Sequence, residues 1–477
     1  MQPEIELKLE LSPEAATRFC DWAPLPDDHS IAALHATYFD TPDHLLAAQG
    51  ISLRIRRSGR RRVQTVKAGG RRGAGLFSRD EWERSVRGVV PVLDDGNPVA
   101  ALLGDAVGTV GPVFDVRVDR RTWMIRDGDA LIELVLDRGV VQAGEREAPV
   151  CEIELELKAG APAALFALAR RIDGDIPVRP GVLTKAERGY RLSRDLQQAF
   201  KAQPIEIAPG TSIGHAFAQI AADCLRQYRL NEAALIDRYT PQALHQARVA
   251  IRRLRSALTL FAPVLAADDV DRFQGELRWL AGALGEARDL DVLIEGIADP
   301  AQAARLEAVR ADVRDRALQW LDSARVRALL IDLVEWLAMG AGCDARAEAP
   351  AAPFAAMRMA KFRKRIARRG RHMARLSDEA RHAVRKDAKK LRYGTEFFAG
   401  LFDAKKGQRR RRKRFVRSLA RMQGDLGALN DLASAPSVMA RYGLAPVAMP
   451  DARDRAALIA KAAQAQADFA DRRRFWK

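Results

Sequence analysis

The spacing of apolar residues changes near residue 200, and this change limits the chain to two kinds of domain. Residues 1–200 contain short segments in which apolar and polar residues alternate, as in β-strands with one buried face. From Thr211 onward Ala, Leu, Arg and Glu dominate, and the apolar residues follow a helical period. The sequence therefore predicts an α+β domain over 1–200, a linker at 201–210 and an all-α domain over 211–477.

Charge is distributed unevenly between these two parts. The 477 residues carry a net charge of +17, yet residues 1–200 contain 28 Lys and Arg against 30 Asp and Glu. The whole excess of positive charge therefore lies in the helical part. A field of that sign attracts polyanions such as nucleic acid, polyphosphate or an anionic membrane surface.

Several protein classes are disfavoured by composition. The four cysteines (Cys20, Cys151, Cys224 and Cys343) show no regular spacing, which argues against a disulfide scaffold or a zinc ribbon and for a reducing compartment. The opening MQPEIELKLE lacks the layout of a signal peptide, and the sequence contains no run of 18 apolar residues. We expect a cytoplasmic protein without a membrane span.

Two acidic segments define a candidate site in the first domain. In EIELKLE, Glu4, Glu6, Lys8 and Glu10 share one strand face, and in CEIELELK the glutamates at 152, 154 and 156 do so. Crowded carboxylates raise one another's pKa unless a cation intervenes, and hard oxygen ligands suit Mg²⁺ or Mn²⁺. Other alternating segments carry cationic side chains that would neutralise an anion. We interpret this as a closed sheet with a charged interior holding water, metal and an anionic ligand; the alternative is an ordinary sheet with one solvated face.

The helical part contains an internal repeat. The pattern H-x-x-R-x-x-x-[RK]-[RK]-L-R occurs at His245 and again at His382, and LGEARDLDV from Leu284 matches LGALNDLAS from Leu426. The offsets of 137 and 142 residues are nearly equal, so we expect two duplicated helical bundles, about 211–345 and 351–477.

Each copy of the repeat places a histidine and basic residues along one stripe of a helix. The alternative is a solvated basic face. Metal binding by the histidines is disfavoured because arginines surround them, and aromatic residues for stacking on nucleobases are few. The stripe favours a delocalised anion, contacted by guanidinium and ammonium groups, and nucleic acid is not expected as its specific partner.

The first domain resembles the CYTH domains, the triphosphate tunnel enzymes. EIELK at Glu4–Lys8 matches their ExExK signature. Further matches follow in order: YFDT at Tyr38–Thr41, LRIR at Leu53–Arg56, Lys67, R-x-E-x-E at Arg79–Glu83, ELVLDRG at Glu133–Gly139, CEIELEL from Cys151, and TKAERGY at Thr184–Tyr190.

This resemblance implies an eight-stranded antiparallel tunnel with flanking helices that binds a triphosphate and divalent metal, Mg²⁺ or Mn²⁺. The implied metal ligands are Glu4, Glu6, Glu81, Glu83, Asp137, Glu152, Glu154 and Glu156. The implied contacts to the phosphates are Lys8, Arg54, Arg56, Lys67, Arg79, Arg117, Arg121, Lys185 and Arg188. The residues expected to matter most for catalysis are Glu4, Glu6, Lys8, Lys67 and Lys185.

The helical part resembles the CHAD domain, the conserved-histidine α-helical domain, through the two histidine-led motifs and LGEARDLDV and LGALND. The resemblance implies two helical bundles that bind inorganic polyphosphate. The implied contacts are His245, Arg248, Arg252, Arg253, Arg255, His382, Arg385, Lys389, Lys390 and Arg392. Asp289 and Asp291 are expected either on this surface or in structural pairs with its arginines.

The resemblances together predict an inorganic triphosphatase that cleaves tripolyphosphate to pyrophosphate and phosphate, with a helical domain that binds long-chain polyphosphate and places the protein at polyphosphate granules. Other hypotheses remain open at this point. They are an adenylyl cyclase or thiamine triphosphatase, which would use the same metal-bound triphosphate, a granule protein without catalysis, and a nucleic-acid binder.

Overall fold

A computed structural model describes residues 5–68, 75–77, 80–194, 197–295, 300–403, 406–443 and 452–476. Within these residues the strands are β1 (Glu6–Glu10), β2 (Ser30–Asp40), β3 (Ser52–Ser58), β4 (Arg61–Ala68), β5 (Leu76–Phe77), β6 (Asp80–Ser85), β7 (Gly111–Asp127), β8 (Ala130–Ala143), β9 (Arg146–Ala159) and β10 (Arg179–Pro180).

Helices flank the strands and form all the regular structure after residue 200 in the described part of the chain. They are α1 (Pro13–Phe19), α2 (Leu45–Ala48), α3 (Ala100–Leu103), α4 (Ala163–Asp175), α5 (Lys185–Leu192), α6 (Ile213–Asp237), α7 (Pro241–Phe261), α8 (Ala267–Ala283), α9 (Gly285–Glu295), α10 (Pro300–Asp322), α11 (Ala324–Ala338), α12 (Ala351–Arg369), α13 (Asp378–Phe397), α14 (Ala399–Phe402), α15 (Lys406–Arg441) and α16 (Ala452–Ala470). The predicted fold class, α+β followed by all-α, is confirmed.

All ten described strands belong to one antiparallel sheet, in the order β10-β1-β9-β8-β7-β2-β3-β4-β6, with β5 also paired to β1. Strands β5 and β6 are neighbours in sequence, yet β5 pairs with β1 and β6 pairs with β4. The sheet therefore closes on itself and surrounds a tunnel. The expected number of eight strands is corrected to ten, because the two-residue strands β5 and β10 add pairs at the β1 edge.

The sheet turns its apolar face outward. Leu9 on β1, Leu134 on β8 and Leu155 on β9 are fully buried, and helices α1 and α4 pack against this side of the sheet. Because side chains alternate between the two faces of a strand, the charged residues between these leucines point into the tunnel.

One end of the tunnel is apolar and is closed by α5. Tyr38, Phe114, Val116 and Val118 form a buried cluster with Ala186, Tyr190 and Leu192 of this helix. A Cβ atom at Gly189 would lie 2.1 Å from the ring of Phe114, so only glycine allows α5 to approach this closely. The charged interior therefore occupies only part of the tunnel length.

The residues group into two compact units. The first contains residues 1–200 together with 322–338, and the second contains 201–321 and 339–477. The core of the second unit includes contacts between the rings of Phe217, Phe261, Phe354 and Phe398 from α6, α7, α12 and the turn before α14. No helix in the described ranges is both long and apolar enough to cross a membrane.

Candidate active site and anion-binding surface

The polar part of the tunnel encloses a cavity of about 470 Å³. Residues from eight of the strands and from the start of α5 surround it. They are Glu6, Lys8, Tyr38, Ser52, Arg54, Arg56, Lys67, Glu81, Glu83, Arg120, Glu133, Val135, Glu154, Glu156, Thr184, Lys185 and Ala186.

Cationic side chains and carboxylates line different parts of the wall of this cavity. Strands β3, β4 and β7 contribute the cations Arg54, Arg56, Lys67 and Arg120, while the adjacent strands β1, β9 and β8 contribute carboxylates. These carboxylates are those of Glu6, Glu133, Glu154 and Glu156, and strand β6, beside β4, adds those of Glu81 and Glu83. A ligand in this space can be bound through its own anionic groups on one side and through a cation on the other.

Two lysines lie at the base of the acidic wall. The Nζ atom of Lys8 lies 2.8 Å from Glu152, 2.5 Å from Glu154 and 3.6 Å from Glu6. The Nζ atom of Lys185, at the first turn of α5, contacts Asp137 at 2.6 Å, Glu154 at 3.0 Å and also Glu152. The helix starts there because Thr184 and Glu187 form a capping box.

Burial by itself would favour the neutral amine of both lysines, but the neighbouring carboxylates favour the charged form more strongly. Desolvation lowers the pKa of Lys8, and Glu152 and Glu154 outweigh this effect and raise it. The pKa of Lys185 is likewise raised, against burial, by Asp137, Glu152 and Glu154. Both ammonium groups therefore remain charged at neutral pH.

Arg120 completes this buried network. Its guanidinium donates to both oxygens of Asp137, at 2.8 and 2.6 Å, and to Glu154 at 3.1 Å. Although burial opposes ionisation of the Glu154 carboxyl, Lys185, Lys8 and Arg120 hold its pKa well below the ordinary range. Three cations and three carboxylates thus neutralise one another at the floor of the cavity.

The remaining wall residues form looser pairs. Lys67 lies 2.9 Å from Glu81 and Arg56 lies 3.7 Å from Glu83. Burial and the neighbouring Arg54 lower the pKa of Arg56, which shows that its positive charge is incompletely compensated. Arg54 donates to the hydroxyl of Tyr38 at 3.4 Å. These cations are available to contact phosphate oxygens.

Two carboxylate groups could hold a divalent cation. Oxygen atoms of Asp137, Glu152 and Glu154 lie within 4.8 Å of one another, but Lys185 already contacts all three residues. The second group is a row across three strands, because Glu6 pairs with Glu156 and Glu156 pairs with Glu133. This row faces the cavity and offers oxygen atoms of the kind that Mg²⁺ and Mn²⁺ prefer, so its donor chemistry suits a divalent metal.

The electrostatics of Glu6 support a cation at this row. Burial and the nearby Glu154 raise the pKa of Glu6, and Lys8 offsets this only in part. The ammonium of Lys158, whose side chain is a third exposed, lies 2.5 Å from Glu156 and 3.6 Å from Glu133. Glu6 is thus a carboxylate whose ionised form would gain from a bound cation.

Most residues expected in the tunnel site do meet there. Those lining the cavity are Glu6, Lys8, Arg54, Arg56, Lys67, Glu81, Glu83, Glu154, Glu156 and Lys185. Asp137 and Glu152 lie beneath them, fully buried. Arg188 pairs with Glu10, and its Nε atom lies 4.0 Å from Glu152. Glu4 and Arg79 lie outside the described residues.

Two expected phosphate contacts need correction. Side chains alternate along β7, so Arg117 and Arg121 have the opposite parity to Arg120 and point to the outer face of the tunnel. Arg117 is exposed and pairs with His35 of β2 in the strand register. The residue that faces the cavity is Arg120. Trp123 and Ile125 share the parity of Arg121 and face outward, but the buried Val116 and Val118 share that of Arg120. The spacing of apolar residues alone therefore could not identify Arg120.

In the second unit, the two histidine-led stripes lie on α7 and α13, which pack against each other. Arg252 donates from Nε to the hydroxyl of Tyr393 at 2.8 Å. Arg252 also faces Lys389 closely enough to lower its pKa, and Arg255 does the same to Lys390. The two stripes therefore form one basic surface, which we call the α7–α13 surface and define by His245, Arg248, Arg252, Arg255, His382, Arg385, Lys389, Lys390 and Arg392.

The second motif of each repeat lies beside the first. His382 hydrogen-bonds Asn430, and Asp431 faces Arg385. In the first repeat Arg288 faces His245 and Asp289 faces Arg248, which are the positions equivalent to Asn430 and Asp431. Asp291 instead pairs with Arg310 at 3.0 Å and accepts from Tyr239 at 3.2 Å.

Arg253 does not belong to the α7–α13 surface, contrary to expectation. It is 4 % exposed, pairs with Asp223 at 3.3 Å and Glu396 at 3.7 Å, and lies over the ring of Phe397. Because it follows Arg252 directly, the helical rotation of about 100° turns it into the core. Its role is in packing α6, α7 and α13 together.

Several cations on the α7–α13 surface have too few neighbouring carboxylates to balance their positive charge. Burial, Arg385 and Arg252 lower the pKa of Lys389 to about 7. Burial, followed by Arg288, Arg252 and Arg248, lowers the pKa of His245. Burial is also the main cause of the lowered pKa of Arg248, Arg255 and Arg385. A ligand with many negative charges would relieve this repulsion.

Comparison with known proteins assigns each part of the chain to a domain family. The sequence model of the CYTH domain matches residues 2–190, and that of the CHAD domain matches residues 219–440. The chain carries a CYTH domain followed by a CHAD domain. The tunnel site lies in the CYTH domain, and the α7–α13 surface lies in the CHAD domain.

Relatives are similar to one or both domains. An inorganic triphosphatase of Haemophilus influenzae is 32 % identical over 201 residues, which are 40 % of this chain and 55 % of that protein. An uncharacterised protein of Mycobacterium tuberculosis is 29 % identical over 406 residues, 76 % of this chain and 75 % of its own. A crystal structure of the CHAD domain from the plant Ricinus communis is 29 % identical, covering 57 % of this chain and 93 % of that one, with a TM-score of 0.44. The match thus spans about half the length of the first of these relatives.

Proposed function

We propose that the CYTH domain hydrolyses inorganic triphosphate to pyrophosphate and phosphate with the help of Mg²⁺ or Mn²⁺. The observation that carries this proposal is the cavity in the tunnel, which is lined by both cationic side chains and carboxylates. The similarity to an inorganic triphosphatase over 201 residues supports it.

The cations of the cavity bind and orient the substrate in this proposal. Arg54, Arg56, Lys67 and Arg120 contact phosphate oxygens, and their fixed charges stabilise the negative charge that develops on the transferred and leaving groups. Lys8 and Lys185, held charged by the buried carboxylates, present ammonium groups at the floor of the cavity. The tripolyphosphate chain would lie between these two sets of side chains.

The carboxylates would hold the metal. Glu6, Glu133 and Glu156 face the cavity in one row, with Glu154 beside them. A divalent cation at such a site neutralises phosphate charge and lowers the pKa of a bound water. The buried pair Asp137 and Glu152 serves instead to keep Lys8 and Lys185 charged.

The proposed hydrolysis is tested by phosphate release from tripolyphosphate with Mg²⁺ or Mn²⁺, comparing wild type with Glu6→Gln. Glu147→Gln is the matched control, because Glu147 lies on the same strand as Glu156 but is exposed. We expect turnover to fall by at least about 100-fold in Glu6→Gln and to stay at the wild-type level in the control. Equal rates in all three proteins would contradict the proposal.

Chromatography of products from ATP and thiamine triphosphate tests the cyclase and thiamine triphosphatase hypotheses.

We further propose that the α7–α13 surface of the CHAD domain binds long-chain inorganic polyphosphate. The supporting observation is the set of half-buried cations from both repeats whose charges repel one another. Polyphosphate supplies closely spaced negative charge without bases, which suits a surface of guanidinium and ammonium groups.

Binding of polyphosphate is tested by titration of the full chain with long-chain polyphosphate, and by competition with duplex DNA at equal charge concentration. The double variant Arg252→Ala/Lys389→Ala should weaken binding, while Lys386→Ala, an exposed neighbour on α13, should not. Displacement of polyphosphate by DNA at equal charge would show that the surface lacks the proposed selectivity.

A further inference from the structure

Helix α11 belongs to the tunnel unit, although its sequence lies inside the CHAD range. The segment 322–338 groups with residues 1–200, whereas the CHAD match runs from 219 to 440. The helix packs on α4 and β10 and buries Val326, Leu330, Val334 and other apolar residues. At both ends the chain continues into the second unit.

A chain of polar contacts joins this helix to strand β10. The Nε atom of Arg327 donates to Asp173 at 2.5 Å, and its side chain is nine-tenths buried. The same oxygen of Asp173 accepts the backbone N–H of Val178 at 3.1 Å, which fixes the turn leading into β10. At the end of α10, Asp322 pairs with Arg179 of β10.

Strand β10 in turn lies against the part of β1 that carries Lys8. Pro180 pairs with Leu9, and the N–H of Gly181 donates to the carbonyl of Lys8 at 2.7 Å. The N–H of Lys8 donates to the carbonyl of Gly75 at 2.9 Å. Both backbone groups of Lys8 are therefore bonded to segments next to α11.

Close packing connects Gly75 to the same helix. A Cβ atom at Gly75 would lie 2.9 Å from the Cβ atom of Pro180 and 3.7 Å from Cγ1 of Val334. Gly75 also has a φ of +121°, a conformation that other residues rarely adopt. Val334 thus packs beside the junction of Gly75, Pro180 and β1.

We propose that α11 is a positioning element of the tunnel site, which holds the backbone of Lys8 in place through Arg327, Asp173 and strand β10 on one side and through Val334 and Gly75 on the other. Lys8 contacts three of the site carboxylates, so a shift of its backbone alters how they are compensated. Precise sites depend on such supporting contacts. The helix also gives the CHAD sequence a covalent connection to the tunnel.

The test compares Arg327→Ala with Arg170→Ala in the full chain. Arg170 joins α4 to the same helix through Asp332 and Glu335, whereas Arg327 contacts Asp173, which binds the turn before β10. Hydrogen exchange of residues 6–11 is measured by mass spectrometry, with β3 as internal reference, at a temperature where circular dichroism shows both variants folded. We expect exchange in β1 to be about tenfold faster in Arg327→Ala and unchanged in Arg170→Ala.

A second measurement rests on the proposed triphosphatase function. The kcat/KM for tripolyphosphate should fall about five- to tenfold in Arg327→Ala and less than about twofold in Arg170→Ala, with partial rescue by Arg327→Lys, which can still pair with Asp173. Unchanged exchange of β1 in a folded Arg327→Ala would overturn the positioning role. If the wild type shows no turnover, the proposed activity fails while the exchange experiment still decides this inference.

Discussion

The tunnel floor and the α7–α13 surface use cations in opposite ways. In the tunnel, Lys8 and Lys185 have raised pKa values because three carboxylates surround them. On the α7–α13 surface, the pKa of Lys389 is lowered to about 7 because the side chain is partly buried and arginines lie close to it. The first arrangement is electrostatically complete without a ligand, and the second is not.

This difference shows how each site could treat an anion. A compensated network keeps its geometry whether or not substrate is present, which suits catalysis by preorganised charge. An under-compensated cluster loses repulsion when an anion arrives, which suits binding of a long polyanion. The same residue types therefore form two electrostatically different arrangements, depending on how many carboxylates lie within reach.

The largest expected difference between the regions is in stability, when one lysine is removed from each. Lys185→Met leaves Asp137 and Glu152 buried with less compensation, so we expect the free energy of unfolding to fall by about 3–5 kcal/mol. Lys389→Met removes a cation that its neighbours repel, so stability should stay the same or rise. Denaturant unfolding measures both. A similar loss of stability in the two variants would remove the contrast between the regions.

The second prediction separates two arginines of β7. Arg120→Ala removes a cation from the cavity, and we expect the KM for tripolyphosphate to rise by about 30-fold, equivalent to a charge-assisted hydrogen bond of about 2 kcal/mol. Arg117→Ala acts on the outer face of the tunnel and should change KM by less than about twofold. Steady-state kinetics on folded variants measures this. An equal effect of both substitutions would contradict the assigned parity of β7.

The third prediction concerns pH at the α7–α13 surface. The groups facing Lys389 are Arg385 and Arg392 on its own helix, Arg252 on α7 and Asp431 on α15. A bound polyanion favours the protonated amine, so the pKa of Lys389 is higher in the complex than in the free protein. The affinity for the polyanion is therefore greatest below pH 7 and decreases as the pH rises through the pKa of Lys389 in the free protein. We expect affinity for polyphosphate to fall by about tenfold between pH 6 and pH 8.

Isothermal titration calorimetry in buffers of different ionisation enthalpy measures the proton uptake that accompanies this change. Lys389→Arg should bind across the whole range without the pH dependence, since arginine stays charged. Lys386→Arg provides the control on the exposed side of α13. A wild-type affinity that does not change with pH would show that Lys389 stays charged in the free protein.

The smallest expected effect distinguishes adjacent arginines on α7. Arg252→Ala removes one contact to the polyanion and should weaken polyphosphate binding by about fivefold, near 1 kcal/mol. Arg253→Ala removes a buried cation and should lower the thermal midpoint without changing the affinity of the folded protein. Binding titrations and thermal unfolding of both variants test this pair. Weaker binding in a folded Arg253→Ala would place that residue on the surface after all.

The sequence was most informative where alternation continued without interruption. In β1 and β9, leucines and isoleucines occupy every second position, so the parity of Glu6, Lys8, Glu154 and Glu156 was predictable. In β7 the buried residues change parity, from Val116 and Val118 inside the apolar end to Trp123 and Ile125 outside. The sequence pattern could not show where that change occurs, and the prediction therefore chose Arg117 and Arg121 instead of Arg120.

The sequence by itself determined which faces of β1 and β9 are charged, that the motifs of the helical part are repeated and where the net charge lies, because these follow from local periodicity and composition. Only the tertiary structure decided that α5 closes one tunnel end, that Arg253 is internal and that α11 packs with the tunnel. These depend on contacts between residues far apart in the chain, whose free energy comes from the burial and ion pairing that closure of the sheet and docking of the helices create.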